Sequence, residues 1–162
     1  MWSWERADDP EVVHALLRAC DLYTSTPDAP PPLRNLDTTV RRVRSGSVHL
    51  LRHGSEPAAT FTLTPDPPFA ADLSIFPRSR RPLYLGRLAV SPAWLDRGAP
   101  VGAQCLRRAL DLAAAAGADA LRSEANPDLH GVRRLLDLFG FVEHGSSRDP
   151  DGRGRVYLEK RL

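Results

Sequence analysis

Apolar residues recur at helical spacing in several stretches of this chain and alternate, or run together, in others. Val12, Val13, Leu16, Leu17 and Cys20 form one stripe, and Pro10 near its start predicts a helix running to about Tyr23. A second, shorter helix is predicted over Leu36–Arg44, ending at Gly46. A third covers residues 98–116, with Cys105, Leu106, Ala109, Leu112 and Ala113 facing inward and Gln104, Arg107, Arg108 and Asp111 on the polar face. Gly117 stops it. Asn126-Pro127 opens a last helix, striped by Leu129, Val132, Leu135, Leu136 and Phe139 and closed by Gly140-Phe141.

Strand-like runs lie between these helices, at residues 2–6, 47–52, 57–64, 83–90, 120–125, 142–144 and 155–161. His53-Gly54-Ser55-Glu56 between two of them reads as a hairpin turn. The predicted order is β-α-α-β-β-β-α-β-α-β-β, an α+β class with a mixed sheet, as a single domain over residues 1–162. No internal repeat interrupts it. Four prolines between positions 27 and 32 exclude helix and central strand there. Residues 65–82 form a long proline-rich connection, read either as a binding loop or as a mobile surface insertion.

Composition narrows the function classes. The chain has 162 residues, 42% hydrophobic and 26% charged, a globular balance of single-domain size. A net charge of +2 argues against a dedicated nucleic-acid binder, which carries a large basic excess on one face. Lys160 is the only lysine among 22 basic residues, and with 15 prolines this suggests the codon usage of a GC-rich, bacterial genome. Cys20 and Cys105 share no metal or redox spacing and read as buried thiols. The five histidines lack the spacing of a metal site. No apolar run approaches the roughly 20 residues that span a bilayer, and no signal-peptide pattern follows Met1, so the expectation is a cytoplasmic protein without membrane or nucleic-acid partners.

The stretch with the most chemistry is Leu83-Tyr-Leu-Gly-Arg-Leu-Ala-Val-Ser-Pro92, followed by Arg97-Gly-Ala-Pro-Val-Gly-Ala103 at the head of the long helix. A strand, a glycine-containing turn and a helix N-terminus together suit a pyrophosphate. Orphan N–H groups and the positive end of the helix dipole point at the anion. The segment is neither a P-loop nor a G-x-G-x-x-G fingerprint.

Here the sequence resembles the GNAT superfamily of acyl-CoA-dependent N-acyltransferases. Leu88-Ala-Val-Ser-Pro92 and Arg97-Gly-Ala-Pro-Val-Gly102 fill the places of its strand and turn motifs, and Asn126 with Leu138-Phe-Gly-Phe141 those of its second motif. The specific resemblance covers residues 83–144. It implies a GNAT-like three-layer fold with helices on both faces of a central sheet splayed at a V. It also implies an N-acetyltransferase using acetyl-CoA or another acyl-CoA as co-substrate, with no metal, acting on the amine of a small molecule or peptide as a monomer or homodimer.

Carried over, the backbone of Leu88, Ala89 and Val90 pairs with the pantetheine arm, and the Leu88 N–H polarises the thioester carbonyl. Amides around Arg97, Gly98, Ala99, Val101, Gly102 and Ala103 hold the pyrophosphate, while Asn126 and Arg133 lie near the cofactor's other side. Two positions depart from the pattern. Pro100 stands where the family has a glycine and removes one donor. Leu136 stands where many members carry the tyrosine that protonates the leaving thiolate. Both departures also fit a degenerate acyl-CoA-binding or scaffold domain without turnover, the alternative reading.

Glu124, at a strand end, is the candidate general base, against a solvated or capping role. Tyr84 is a candidate acid or pocket residue, against an aromatic packed at the sheet edge. His130 beside Arg133 and Arg134, and the run Arg78, Arg80 and Arg81, read as solvated faces. Trp94 packs beneath the turn or against a second subunit.

Overall fold

The computed structural model describes residues 1–69, 71–98 and 100–162. Seven strands and five α-helices follow the order β1 (Trp2–Arg6), α1 (Pro10–Thr24), α2 (Leu36–Arg44), β2 (Val48–His53), β3 (Glu56–Thr64), β4 (Pro82–Val90), α3 (Pro92–Asp96), α4 (Val101–Ala115), β5 (Ala120–Ala125), α5 (His130–Leu138), β6 (Val142–Arg148) and β7 (Gly154–Arg161). The sheet order is β1-β2-β3-β4-β5-β7-β6, with β4 and β5 parallel and the pairs β1/β2, β2/β3, β5/β7 and β7/β6 antiparallel. The α+β class and the mixed sheet are as the sequence predicts.

The chain forms two compact units, one of Met1–Leu63 with Arg87–Cys105 and one of Thr64–Gly86 with Leu106–Leu162. In the first, α1 starts at Pro10 because the Asp9 carboxylate accepts from the Glu11 and Val12 N–H groups, at 2.9 and 3.4 Å. Asn35 caps α2 in the same way, through the Asp37 N–H at 2.8 Å. The apolar stripe of α1 meets the core: Val13, Leu16 and Leu17 pack with Ala7, Val43, Val48, Leu50 and Ala89. Cys20 lies partly buried against that core, while Cys105 is fully buried, and both are free thiols.

In the second unit, β5 pairs in parallel with β4 from Pro82↔Ala120 to Leu85↔Ser123 and antiparallel with β7 along its whole length. Leu121, Leu136 and Leu158 are buried, and Phe69 lies against Phe76, Tyr84 and Tyr157.

Two helix starts and one added helix differ from the expectation, and the strand expected over 142–144 runs on to Arg148. The long helix starts at Val101, not Gly98, because Gly98 takes φ +64° and closes a turn after Leu95. That turn follows α3, a five-residue helix with Pro92 at its first position that no periodicity announces. The last helix begins at His130, because the Asn126 side chain accepts from the Asp128 N–H at 2.9 Å and makes a turn of residues 126–129.

Candidate functional site

In the first unit, the end of β4 carries the segment on which the resemblance rests. Ala89 and Val90 are buried, and the Ser91 N–H donates to the Ala58 carbonyl at 2.8 Å, fixing where the strand stops. The Ser91 carbonyl accepts from Trp94 and Leu95 and starts α3. Arg97 ends α3, and its guanidinium lies 4.5 Å from the centre of the Trp94 ring. Trp94 is in turn packed against Trp2 and His53, with ring centres 4.6 and 5.0 Å away, so it packs within its own chain. Its indole nitrogen is buried and has no hydrogen-bond partner among the described residues.

Gly98 is required by its backbone, since φ +64° suits glycine, and the space where a Cβ would stand is open. Pro100 sits just ahead of α4, its carbonyl accepting from the Gln104 N–H at 3.1 Å. The N–H groups of Val101, Gly102 and Ala103 therefore precede the first bond inside the helix and face its N-terminal end. Ala99 and the side chain of His130 lie outside the described residues.

In the second unit, Glu124 stands opposite Tyr157 in the β5/β7 ladder. Its Oε1 lies 3.0 Å from Arg155 Nε, and Arg155 Nη2 lies 3.2 Å from Asp149 Oδ2. Burial raises the Glu124 carboxyl above the ordinary value, and Arg155 opposes the shift. Glu124 is thus a partly buried carboxylate engaged by one arginine.

Tyr84 is only 2% exposed. Its hydroxyl accepts from Arg122 Nη1 at 3.0 Å, inside a network in which Arg122 Nε also donates to Glu159 Oε2 at 2.9 Å and Nη2 to the Pro77 carbonyl at 2.9 Å. It is therefore packed in the interior and not at a sheet edge. Asn126 spends its side-chain oxygen on the local turn. Arg133 is engaged by Asp137 and by Glu143, each at 3.2 Å. Leu136 is a buried leucine that offers no hydroxyl. Arg78, Arg80 and Arg81 are exposed.

The end of the connection over residues 65–82 is tied down. Asp119 accepts from the Ser79 hydroxyl and from the N–H groups of Arg80 and Arg81, the latter two at 2.8 and 3.1 Å. The Ser79 bond and the Arg80 N–H bond hold its carboxyl down at about 2. Sequence reasoning missed this anchor and the Arg122 network, because each joins residues some forty positions apart. Among the described residues, no group of three or more His, Cys, Asp or Glu side chains could hold a metal ion, and no helix is long and apolar enough to cross a membrane.

No family model matches the sequence, and no curated protein matches it. Solved structures do. The NatC complex bound to Gag peptide and CoA aligns with a TM-score of 0.73 at 14% identity, over 99% of this chain and 98% of that one. An agmatine N-acetyltransferase aligns with a TM-score of 0.73 at 13% identity, over 99% of each chain. A ribosomal-protein-alanine N-acetyltransferase from Brucella melitensis aligns with a TM-score of 0.68 at 17% identity, again over 99% of each chain. At such identities the likeness establishes the fold: this chain has the fold of the GNAT acetyltransferases.

Proposed function

We propose that residues 1–162 work as one N-acetyltransferase domain that moves an acyl group from acetyl-CoA to the amine of a small molecule or peptide. The observation that carries this reading is the run from β4 through α3 to α4. The parallel ladder of β4 with β5 ends at Leu85↔Ser123, three residues before Leu88, and the strand then feeds the Arg97-Gly98 turn and the N–H groups at the head of α4 that precede the first helical bond. The similar structures include acetyltransferases of proteins and of agmatine, and one of them holds CoA and a peptide.

The co-substrate supplies an activated thioester carbonyl. This chain's part is to bind and polarise it. Val101, Gly102 and Ala103 present N–H groups to the pyrophosphate, and Arg97 adds a cation held over Trp94. The Leu88 N–H donates to the carbonyl oxygen as negative charge builds there. The acceptor nitrogen forms its bond to the carbonyl carbon while the carbon–sulfur bond breaks. Glu124, directly or through a water, takes the proton that the amine must lose. With leucine at position 136, the departing thiolate takes its proton from solvent, which a thiol of ordinary pKa near 8.5 tolerates at neutral pH.

Calorimetry with acetyl-CoA and CoA tests the first half of this reading, and thiol release across an amine panel tests the second. Micromolar binding with amine-dependent release of CoA is the expected result. No binding at high micromolar acetyl-CoA overturns the reading. Binding with no release for any amine converts the protein into a non-catalytic binder.

A further inference from the structure

Arg87 has two costly properties that the fold does not offset. It lies inside β4 and yet has φ +54°, the only positive φ outside glycine among the described residues. An L side chain reaches that region at a cost, whereas glycine reaches it freely, and the adjacent Gly86 does not take it. Its guanidinium is also half-buried, and among the described residues no carboxylate pairs with it. The acid that acts on it, Asp21, is held by Arg34 in a two-point pair at 2.7 and 2.9 Å.

The surroundings add more positive charge than Asp21 cancels. Burial first, then Arg34 and Arg42, push the Arg87 pKa down to about 10, which still leaves it charged at neutral pH. Its Nη2 donates to the buried Thr39 hydroxyl on α2 at 2.7 Å. Thr39 Oγ1 also lies 3.3 Å from His14 Nδ1 on α1, which fixes the hydroxyl from a second side. The guanidinium is therefore oriented by a relay from both helices, with most of its five donors left over. A strained, oriented arginine without a carboxylate paired to it, among further cations, has the properties of a receptor for an anion.

Resting on the acetyltransferase reading, we propose that Arg87, backed by Arg34 and Arg42, binds a carboxylate or phosphate group carried by the amine acceptor. Arg87 directly precedes Leu88, whose N–H that reading places at the reacting carbonyl. Its side chain reaches Thr39 on α2, which in turn meets His14 on α1, and not the Gly98 turn assigned to the cofactor's pyrophosphate. The acceptors of this chain are accordingly amines that bear an anionic group.

The test uses the full chain and its Arg87→Gly and Arg87→Lys variants. Succinate and inorganic phosphate, titrated by calorimetry with CoA saturating, bind the wild type and bind Arg87→Gly about tenfold more weakly. The thermal midpoint of Arg87→Gly stays the same or rises, because glycine accepts φ +54°. In transfer assays γ-aminobutyrate outcompetes butylamine in kcat/KM, Arg87→Gly erases the preference, and Arg87→Lys restores part of it. Equal anion binding by wild type and Arg87→Gly overturns the proposal, as does an Arg87→Gly chain that loses its midpoint but keeps the preference. Weaker binding of CoA but not of dephospho-CoA by the variant also overturns it, since the anion would then be the cofactor's. Arg87-dependent succinate binding without any acetyl-CoA binding supports the anion site and sinks the acetyltransferase reading, so the two fail separately.

Discussion

At the scale of single residues, the proposed proton transfer rests on how Glu124 is held. Burial makes its charged form costly, and Arg155 at 3.0 Å recovers part of that cost. A raised carboxyl acts as base only above its own pKa, so kcat/KM should climb with pH along a limb displaced above the ordinary 4.5. Replacing Arg155 by Met removes the opposing attraction and moves that limb further up. Glu124→Gln removes the limb and lowers the rate on the order of tenfold to a hundredfold. A pH–rate series on the three proteins reads both effects, and an unchanged acid limb in Glu124→Gln assigns the base elsewhere. Pro100 is the second residue with a definite consequence. Proline takes a donor out of the turn ahead of α4, and Pro100→Ala returns one N–H next to the proposed pyrophosphate. A hydrogen bond to a charged group contributes about 1.5–3 kcal/mol, so acetyl-CoA should bind about tenfold tighter to Pro100→Ala in calorimetry.

At the scale of elements, most of the fold was legible because each signal was local. Pro10 after Asp9, Gly46 after α2 and Gly117 after α4 mark ends through caps and positive φ, which a sequence displays directly. The helix α3 was not legible, since five residues are too few to show a 3.6-residue period. The late starts of α4 and α5 were hidden for a related reason: Gly98 and Asn126 make turns that borrow the residues a helix would have used. The Leu88–Gly102 stretch of the candidate site could be read from contiguous residues. The left-handed φ of Arg87 could not, because nothing in the alternation of β4 distinguishes it from its neighbours. The connection over residues 65–82 shows what long-range anchoring does to an element that looks mobile. Its Ser79, Arg80 and Arg81 all converge on Asp119, whose carboxyl is held at about 2. A depressed acid contributes stability above its unfolded value near 3.8, and that contribution is lost as pH falls toward 2. Asp119→Ala should therefore make this connection the preferred site of limited proteolysis at neutral pH and should flatten the acid limb of the stability curve.

At the scale of the whole molecule, a near-neutral chain with 22 basic and 20 acidic residues places its charges in specific partnerships, not in a field. Arg122 and Glu159 are the most buried of these, with side chains only 6% and 1% exposed. Each guanidinium nitrogen of Arg122 donates: Glu159, the Tyr84 hydroxyl and the Pro77 carbonyl accept from it, and the Phe76 ring lies 4.5 Å from its guanidinium carbon. One side chain thus ties β5, β7, β4 and the connection after β3 together. Such a pair owes little to its net attraction, because desolvating two charges costs about as much as their attraction returns. Its worth appears only when one partner is removed. Arg122→Met leaves Glu159 buried with Arg161, 3.0 Å away and half-exposed, as its remaining cation. The expected loss is about 3 kcal/mol, at the low end for an orphaned buried charge because Arg161 remains. The double variant Arg122→Met with Glu159→Leu removes the stranded carboxylate and should recover at least part of that loss. Equilibrium denaturation of the wild type, both single variants and the double variant measures the coupling. A double variant as unstable as the sum of the singles would mean that Arg122 acts through Tyr84 and Pro77, and that the ion pair itself organises nothing.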